Sequence, residues 1–250
     1  VHLLVREAAV LPAPEEIPVA ADGARRLAAL YAFPPLEEGR VHVRAMMNTT
    51  VDGAIAGADG TSGSLHDPDD SFVFGVLRAL CDVVLVGAAT VRAEDYRRPS
   101  GRRDLRAPSL RPAGADRPVL AIRTATGELP DSVEPDWPTL LITPPHQRER
   151  VLERTGFPAE QVIAAADEQA AISALAARGL RGIQAEGGPS ALGRLAAAGL
   201  LDELCFTVSH RTVGGPSPRV LEGPAHRASW ELSSLLLGER STITRYRRAA

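Results

Sequence analysis

Lysine is absent from this chain: all 28 of its basic side chains are arginine. That absence excludes a Schiff-base lysine, a pyridoxal-phosphate anchor and the lysine of a Walker phosphate loop. A coding preference for Arg, Ala, Gly and Pro accounts for it without a functional reason. Cysteine is scarce as well. Cys81 and Cys205 are too few for a disulfide framework and too far apart for a local metal motif, which fits a reducing, cytoplasmic setting. The histidines, His2, His42, His66, His146, His210 and His226, show no HxxxH or HxH spacing, so no metal site is expected. There is no GxSxG elbow for an acyl-transfer serine, and no GxGxxG or even GxG, which disfavours an ordinary Rossmann site. Nowhere do about 18 apolar residues run together, and Arg6 and Glu7 interrupt the apolar start, so neither membrane span nor signal peptide is expected. With 28 basic against 31 acidic side chains the net charge is -3, which supplies no attraction to nucleic acid or anionic membrane.

What is present is ordinary globular material. Hydrophobic residues at 44% of 250 suffice for one large core, in one domain or at most two. The first forty residues read as an extension: a short apolar start, a Pro-rich connector from Leu11 to Pro18, and a helix from Asp22 to Tyr31 ended by Pro34 and Pro35. Residues 41–250 form the main domain. There Val41–Met47, Val83–Val86, Val119–Ile122, Leu140–Ile142, Gly182–Ala185 and Glu203–Val208 read as strands. Helices are expected from Asp67 to Leu80, Glu168 to Ala177 and Pro189 to Ala198. The alternation predicts an α/β fold in three layers: a mostly parallel central sheet with helices on both faces. Ser229–Leu237 and Thr242–Arg247 read as a hairpin, giving antiparallel C-terminal edge strands. Arg97 to Pro118, with seven arginines and four prolines, reads as a long loop.

In such a sheet, ligands bind beyond the carboxyl ends of the strands. After Val83–Val86 come Gly87, Ala88, Ala89 and Thr90, small residues that admit a ligand to the backbone, although a tight strand-to-helix turn explains Gly87 equally well. After Ala185 come Glu186, Gly187, Gly188, Pro189, Ser190, Ala191 and Leu192. Two glycines permit close approach, Pro189 suits the first helical position, and the opening amides form a pyrophosphate cradle. Glu186 can accept hydrogen bonds from a polar ring or simply answer the helix dipole. Thr49 to Gly53, followed by Gly57, Gly60, Ser62, Gly63 and Ser64, forms either a loop over a ligand or a plain turn at Asp52-Gly53. The acidic run Asp67, Asp69, Asp70 needs no function beyond starting a helix, and Arg78 near its end serves the dipole or a phosphate.

The ordered segments Thr50-Val51-Asp52-Gly53, Leu77-Arg78-Ala79, Val86 to Glu94, Glu186-Gly187-Gly188-Pro189 and Gly199 to Leu204 resemble the riboflavin-biosynthesis pyrimidine reductase family over about residues 41 to 247. The resemblance implies a dihydrofolate-reductase-like fold, NADPH as cofactor, a homodimer, and reduction of a 5-aminopyrimidine ribosylamino 5'-phosphate to the ribitylamino product. The H-x-E and P-C-x-x-C pattern of a zinc deaminase domain is missing, which implies a stand-alone reductase. By position, Gly87, Thr90 and Glu94 match the first cofactor stretch and Gly187 to Arg194 the second. Thr49 falls near the nicotinamide, Ser64 with the cofactor residues where many relatives have tryptophan, and Thr124 on the adenosine side. Arg123 beside it is placed to favour the 2'-phosphate. Ser62, Arg78 and Glu186 match substrate positions, Arg78 on the phosphate and Glu186 on the pyrimidine, with a second phosphate arginine among Arg97, Arg98, Arg102 and Arg103. In the implied reaction the furanose opens to an imine whose carbon takes the hydride, and Asp52 or Glu186 relays the proton. A paralogous reductase of another pterin or pyrimidine, or a non-catalytic NADPH-binding protein, is the alternative.

Overall fold

The alternation that begins at Val41 does form a parallel sheet, and the first forty residues join it. The computed structural model describes residues 1–57, 60–65, 67–94, 96, 98–133 and 137–249; Arg97 and His66, both named above, lie outside the described residues. In chain order the strands are β1 (His2–Arg6), β2 (Ala9–Glu16), β3 (His42–Thr50), β4 (Val83–Gly87), β5 (Val119–Arg123), β6 (Thr139–Thr143), β7 (Val162–Ala164), β8 (Gly182–Ala185), β9 (Glu203–Ser209), β10 (Trp230–Leu237) and β11 (Ser241–Arg248). They form one sheet in the order β2-β1-β10-β11-β9-β3-β8-β4-β5-β6-β7. Pairing is parallel from β9 through β3, β8, β4, β5 and β6 to β7, and antiparallel from β9 outward through β11, β10, β1 and β2.

The helices are α1 (Ala21–Leu30), α2 (Pro68–Leu80), α3 (Ala88–Ala93), α4 (Arg148–Thr155), α5 (Glu168–Ala176) and α6 (Pro189–Ala197). Side chains alternate across each strand, so the sheet buries two faces. On β4, Val83 and Leu85 join the core under α5 and α6, while Val84 and Val86 join the one under α3 and α4. Met46 and Cys205 on neighbouring strands pack with α1 and α2. These are the three layers expected.

The Pro-rich stretch read as a connector is largely strand β2. It pairs only with β1, with an irregularity in the register, and an outer edge tolerates the missing donors of Pro12 and Pro14. The C-terminal hairpin β10–β11 is antiparallel as expected, but the N-terminal hairpin lies outside it. Two elements escape the apolar pattern. The α4 segment is mostly charged and buries Val151 alone, and β7 is three residues long.

A buried charge cluster fastens α1 to the sheet. The carbonyls of Leu30 and Tyr31, orphaned at the helix end, accept from Arg245 Nη1 at 2.5 Å and Arg44 Nη2 at 2.6 Å. Both guanidiniums turn their other side to Glu203: Arg245 Nη2 lies 2.6 Å from Oε2, and Arg44 Nε donates to Oε1. All three side chains are buried.

Candidate active site

The chain leaves β3 for β4 through α2 on one face and leaves β8 for β9 through α6 on the other. A crevice opens beyond the carboxyl ends where connections part in this way. A cleft of about 950 Å³ occupies that place, lined by strand ends at Asn48, Gly87, Arg123 and Glu186 and by α2, α3 and the start of α6.

Two strand-to-helix turns meet at its centre. The Gly87 amide donates to the Gly187 carbonyl at 3.1 Å, and a Cβ on Gly87 would touch Ala191 Cβ and Gly188 N at 3.8 Å. On Gly188 a Cβ would come within 2.9 Å of Thr90 Oγ1, so a side chain there would displace Thr90. Gly187 has φ +106°, a conformation that costs glycine little. Pro189 opens α6 without a donor, Ala191 and Leu192 donate to the Gly188 carbonyl, and the Ser190 amide has no hydrogen-bond partner among the described residues. An unpaired amide at a helix start, walled by backbone and Thr90, suits an anionic oxygen.

Toward β5 the lining is polar. Thr124 is buried, and its Oγ1 accepts from the Gly127 amide at 3.0 Å, closing the turn after the strand. Glu168 sits between Arg123, 3.1 Å away, and Arg194, 2.7 Å away. The trio carries one positive charge in excess, and Arg123 Nη1 is buried without a hydrogen-bond partner.

Toward α2 the cleft is walled by an acid–base pair. Arg78 Nε donates to Glu186 Oε1 at 2.8 Å and Nη2 to Oε2 at 2.6 Å. The Tyr96 hydroxyl donates to Oε2, and Gln184 Nε2 donates to Oε1 at 2.7 Å. The guanidinium also lies over the Phe74 ring, 4.2 Å from its centroid. Burial pushes the Glu186 carboxyl above its usual range, against the pull of Arg78. Burial works against the Arg78 charge, but the Glu186 carboxylate outweighs it and holds the guanidinium above its usual value.

The segment before α2 closes the remaining side. The Ser62 amide donates to Glu94 Oε1 at 2.8 Å, tying the loop to the end of α3. Thus Ser62, Arg78, Gly87, Thr90, Glu94, Thr124, Glu186, Gly187, Gly188, Pro189, Ser190 and Ala191 all line one cleft. Four expected site residues are placed otherwise. Ser64 is exposed, and its hydroxyl donates to the Thr61 carbonyl at 3.2 Å. Thr49, Asp52 and Leu192 line a separate cavity of about 650 Å³. Asp52 is an exposed turn acid: its carboxylate accepts from Thr50 Oγ1 and from the amides of Gly214 at 2.7 Å and Val213 at 3.1 Å, and these bonds, Thr50 first, hold its carboxyl below the usual range. Of the arginines considered for a second phosphate contact, Arg98 lines the cleft, whereas Arg102 pairs with Asp104 at 2.6 Å and Arg103 is exposed.

Sequence reasoning passed over Tyr96, Gln184, Asn48 and Asp70. A glutamine inside the apolar strand β8, two residues before Glu186 and so on its face, was the available signal for Gln184. Tyr96 sits where the Arg/Pro-rich loop begins, without periodicity to mark it. Among the described residues no group of three or more His, Cys, Asp and Glu side chains could hold a metal, and no helix is long and apolar enough to cross a membrane.

Comparison with known proteins identifies the RibD C-terminal domain in residues 41–242. A pyrimidine reductase-like protein from Corynebacterium diphtheriae superposes with a TM-score of 0.74 at 24% identity, over 88% of this chain and 96% of its own. RibD from Acinetobacter baumannii gives 0.66 at 18% identity over 84% of this chain and 58% of that one. The riboflavin biosynthesis reductase Rib7 of Saccharomyces cerevisiae gives 0.61 at 15% identity, over 86% and 93%. These structures share the three-layer α/β fold of this chain. No curated protein matches the sequence.

Proposed function

The chain belongs to the RibD C-terminal domain family, and from that premise we propose that it is an NADPH-dependent reductase of the riboflavin-pathway type, converting a 5-aminopyrimidine ribosylamino 5'-phosphate to its ribitylamino product. The observation that carries the reading is the meeting of the Gly87 and Gly187-Gly188 turns beneath the Ser190 amide, where a side chain on Gly188 would displace Thr90. A dinucleotide fits these residues: Thr90, Gly188 and Ser190 would hold the diphosphate, and Thr124 and Arg123 the adenosine end. The buried, unpartnered Arg123 Nη1 and the excess positive charge around Glu168 favour a 2'-phosphate there. When bound, the nicotinamide supplies the hydride.

The chain's own part is position and proton. Arg78, stacked on Phe74 and fixed by Glu186, offers its charge to an anionic group of the substrate. The Glu186 carboxyl, raised by burial, is the group able to hold and pass on a proton at the cleft wall, and the Tyr96 hydroxyl donating to its Oε2 keeps it in place. The Ser62 amide ties the loop before α2 to Glu94 at the cleft's edge. We assign the protein to the cytoplasm on its scarce cysteines and to a homodimer on the family resemblance, with residues 1–40 an extension of the reductase domain 41–250.

A second reading, a reductase of another pterin or pyrimidine such as dihydrofolate, is favoured by the commitment of Arg78 to Glu186. Both are tested by following NADPH absorbance, first with the pyrimidine ribose phosphate and then with dihydrofolate. Turnover of the first is expected; turnover of dihydrofolate alone would replace the first reading by the second. NADPH binding without either activity would leave a non-catalytic binder.

A further inference from the structure

Gln184 is the one polar side chain of β8, a strand otherwise of glycine and apolar residues, and it is fully buried. It stands behind the cleft and does not line it. Burying a side-chain amide is costly unless its donors and its acceptor are paired. Its Nε2 donates to Glu186 Oε1 at 2.7 Å, while its Oε1 has no hydrogen-bond partner among the described residues. An apolar residue would avoid that cost, and the bond to Glu186 is what offsets it.

What turns the amide this way lies on β3. Arg44 and Gln184 are direct partners in the parallel register of β3 and β8, so their side chains stand side by side on one face of the sheet. Arg44 is fully buried, and its Nη1 also lacks a partner among the described residues. Burial works against its charge, but Glu203 holds the guanidinium above its usual value. A cation attracts the oxygen end of an amide dipole and repels the nitrogen end, and the Glu186 carboxylate does the reverse. Gln184 adjoins both charges, and both hold its amide in the same sense.

The two oxygens of Glu186 then differ in what surrounds a proton. Oε1 accepts from Arg78 Nε at 2.8 Å and from Gln184 Nε2, and neither nitrogen is an acceptor. Oε2 accepts from Arg78 Nη2 at 2.6 Å and from the Tyr96 hydroxyl. A hydroxyl both donates and accepts, so Tyr96 is able to turn and receive an O–H from the carboxyl. The remaining groups do not compete for that proton. Arg78 stays charged beside Glu186, and the Cys81 thiol, just past α2, is pushed up by burial and then by the charges of Glu186 and Asp82. Asp70 and Arg98 are further charged side chains along this side of the cleft.

We propose that Gln184 is a positioning residue that makes Oε2 the proton-bearing oxygen of Glu186: fixed as a donor by Arg44, it keeps Oε1 an acceptor in both states of the carboxyl and leaves the proton beside Tyr96. A proton on Oε1 would aim its O–H at an N–H, and the amide would have to turn its nitrogen toward Arg44 to receive it. One amide thus links the core cluster to the cleft. Arg44, which with Glu203 fastens α1, also sets the donor that sorts the two oxygens of Glu186.

The proposal rests on the reductase reading only for the use made of that proton, so its test needs no turnover. Protein isotopically labelled at the glutamate carboxyl carbons would be titrated by carbon NMR, the Glu186 resonance being identified by its absence in Glu186→Gln. Gln184→Met, which keeps the length and bulk but has no donor, should bind the Glu186 proton at least about tenfold more tightly than the parent, as the loss of one hydrogen bond to a charged acceptor implies. Its affinity for NADPH should stay that of the parent, and a thermal melt identifies a variant that fails to fold. The parent protein supplies the second measurement. A neutron structure from deuterated crystals, held at a pH where Glu186 is protonated, should show its deuteron on Oε2 and a Gln184 Nε2 deuteron pointing at Oε1. An unchanged proton affinity in folded Gln184→Met, a deuteron on Glu186 Oε1, or Gln184 turned with its oxygen against Glu186 would overturn the proposal. A deuteron on Oε2 in a protein that leaves NADPH and the pyrimidine ribose phosphate unreacted would instead count against the riboflavin-pathway reading alone.

Discussion

Two buried glutamates, each held by arginine, sit on opposite sides of β3 and are driven in opposite directions. Glu203, on β9, meets Arg44, Arg245 and His42, and although burial alone would raise its carboxyl, Arg44 first and then His42 and Arg245 pull it well below the usual range. Glu186, at the end of β8, meets one arginine and two neutral donors, and there burial wins. The difference lies in the partners: two guanidiniums and the His42 hydrogen bond more than offset the desolvation of one carboxylate, while a single guanidinium does not. The core cluster keeps its acid charged and fastens a helix; the cleft leaves its acid closer to protonation, beside a hydroxyl. A site that moves protons needs the second arrangement.

The largest test of this contrast is Glu203→Gln. It strands two buried arginines, and loss of one partner from such a cluster costs about 3–5 kcal/mol. Urea denaturation should show a loss of that size, with the docking of α1 affected first; a loss like that of a surface substitution would break the comparison. Glu186→Gln should behave in reverse. It should lower kcat/KM for the pyrimidine by about tenfold to a hundredfold through loss of charge-assisted bonds and leave NADPH affinity nearly as it was. Equal losses of both would remove Glu186 from the substrate side.

Acid titration sharpens the contrast further. Glu203 has a lowered folded-state pKa, so its stabilisation is complete above the ordinary carboxyl value and is lost as pH falls toward the folded one. Glu186 has a raised pKa, so the sign is opposite: it weighs against the folded state once pH exceeds the ordinary carboxyl value, and mild acid relieves it. The stability curve of Glu203→Gln should therefore lose part of the parent's decline in acid, whereas that of Glu186→Gln should keep it. The smallest effect is expected from Tyr96→Phe, which removes one neutral donor from Glu186. A severalfold fall in kcat with little change in NADPH affinity is predicted from the worth of a single hydrogen bond, read by steady-state kinetics.

The same contrast shows what was legible in the sequence. Elements with strong apolar periodicity, β4, β5, β8, β9 and α6, stand where the pattern puts them, because burial on a face is a local property of the residue string. The Gly187-Gly188-Pro189 turn was readable for the same reason, since paired glycines before an N1 proline limit the backbone options. Pairings between distant segments were not readable. Nothing in the string announces that Glu203 joins Arg44 and Arg245, that Tyr96 reaches Glu186, or that Asp70 leaves the acidic run of α2 to face the cleft. Thr49 and Asp52 look like site residues by position, yet they line another cavity, a consequence of side chains alternating across β3 and of the turn after it. The N-terminal hairpin escaped notice because prolines argue against a strand everywhere except at an outer edge.

The account depends on the opening of α6 holding a reduced dinucleotide, and a crystal structure of the protein grown with NADPH tests it most directly. The diphosphate is predicted within hydrogen-bond reach of the Ser190 amide and Thr90 Oγ1, with the 2'-phosphate against Arg123. A diphosphate bound anywhere else, with the corner between Gly87 and Gly188 left to solvent, would contradict it.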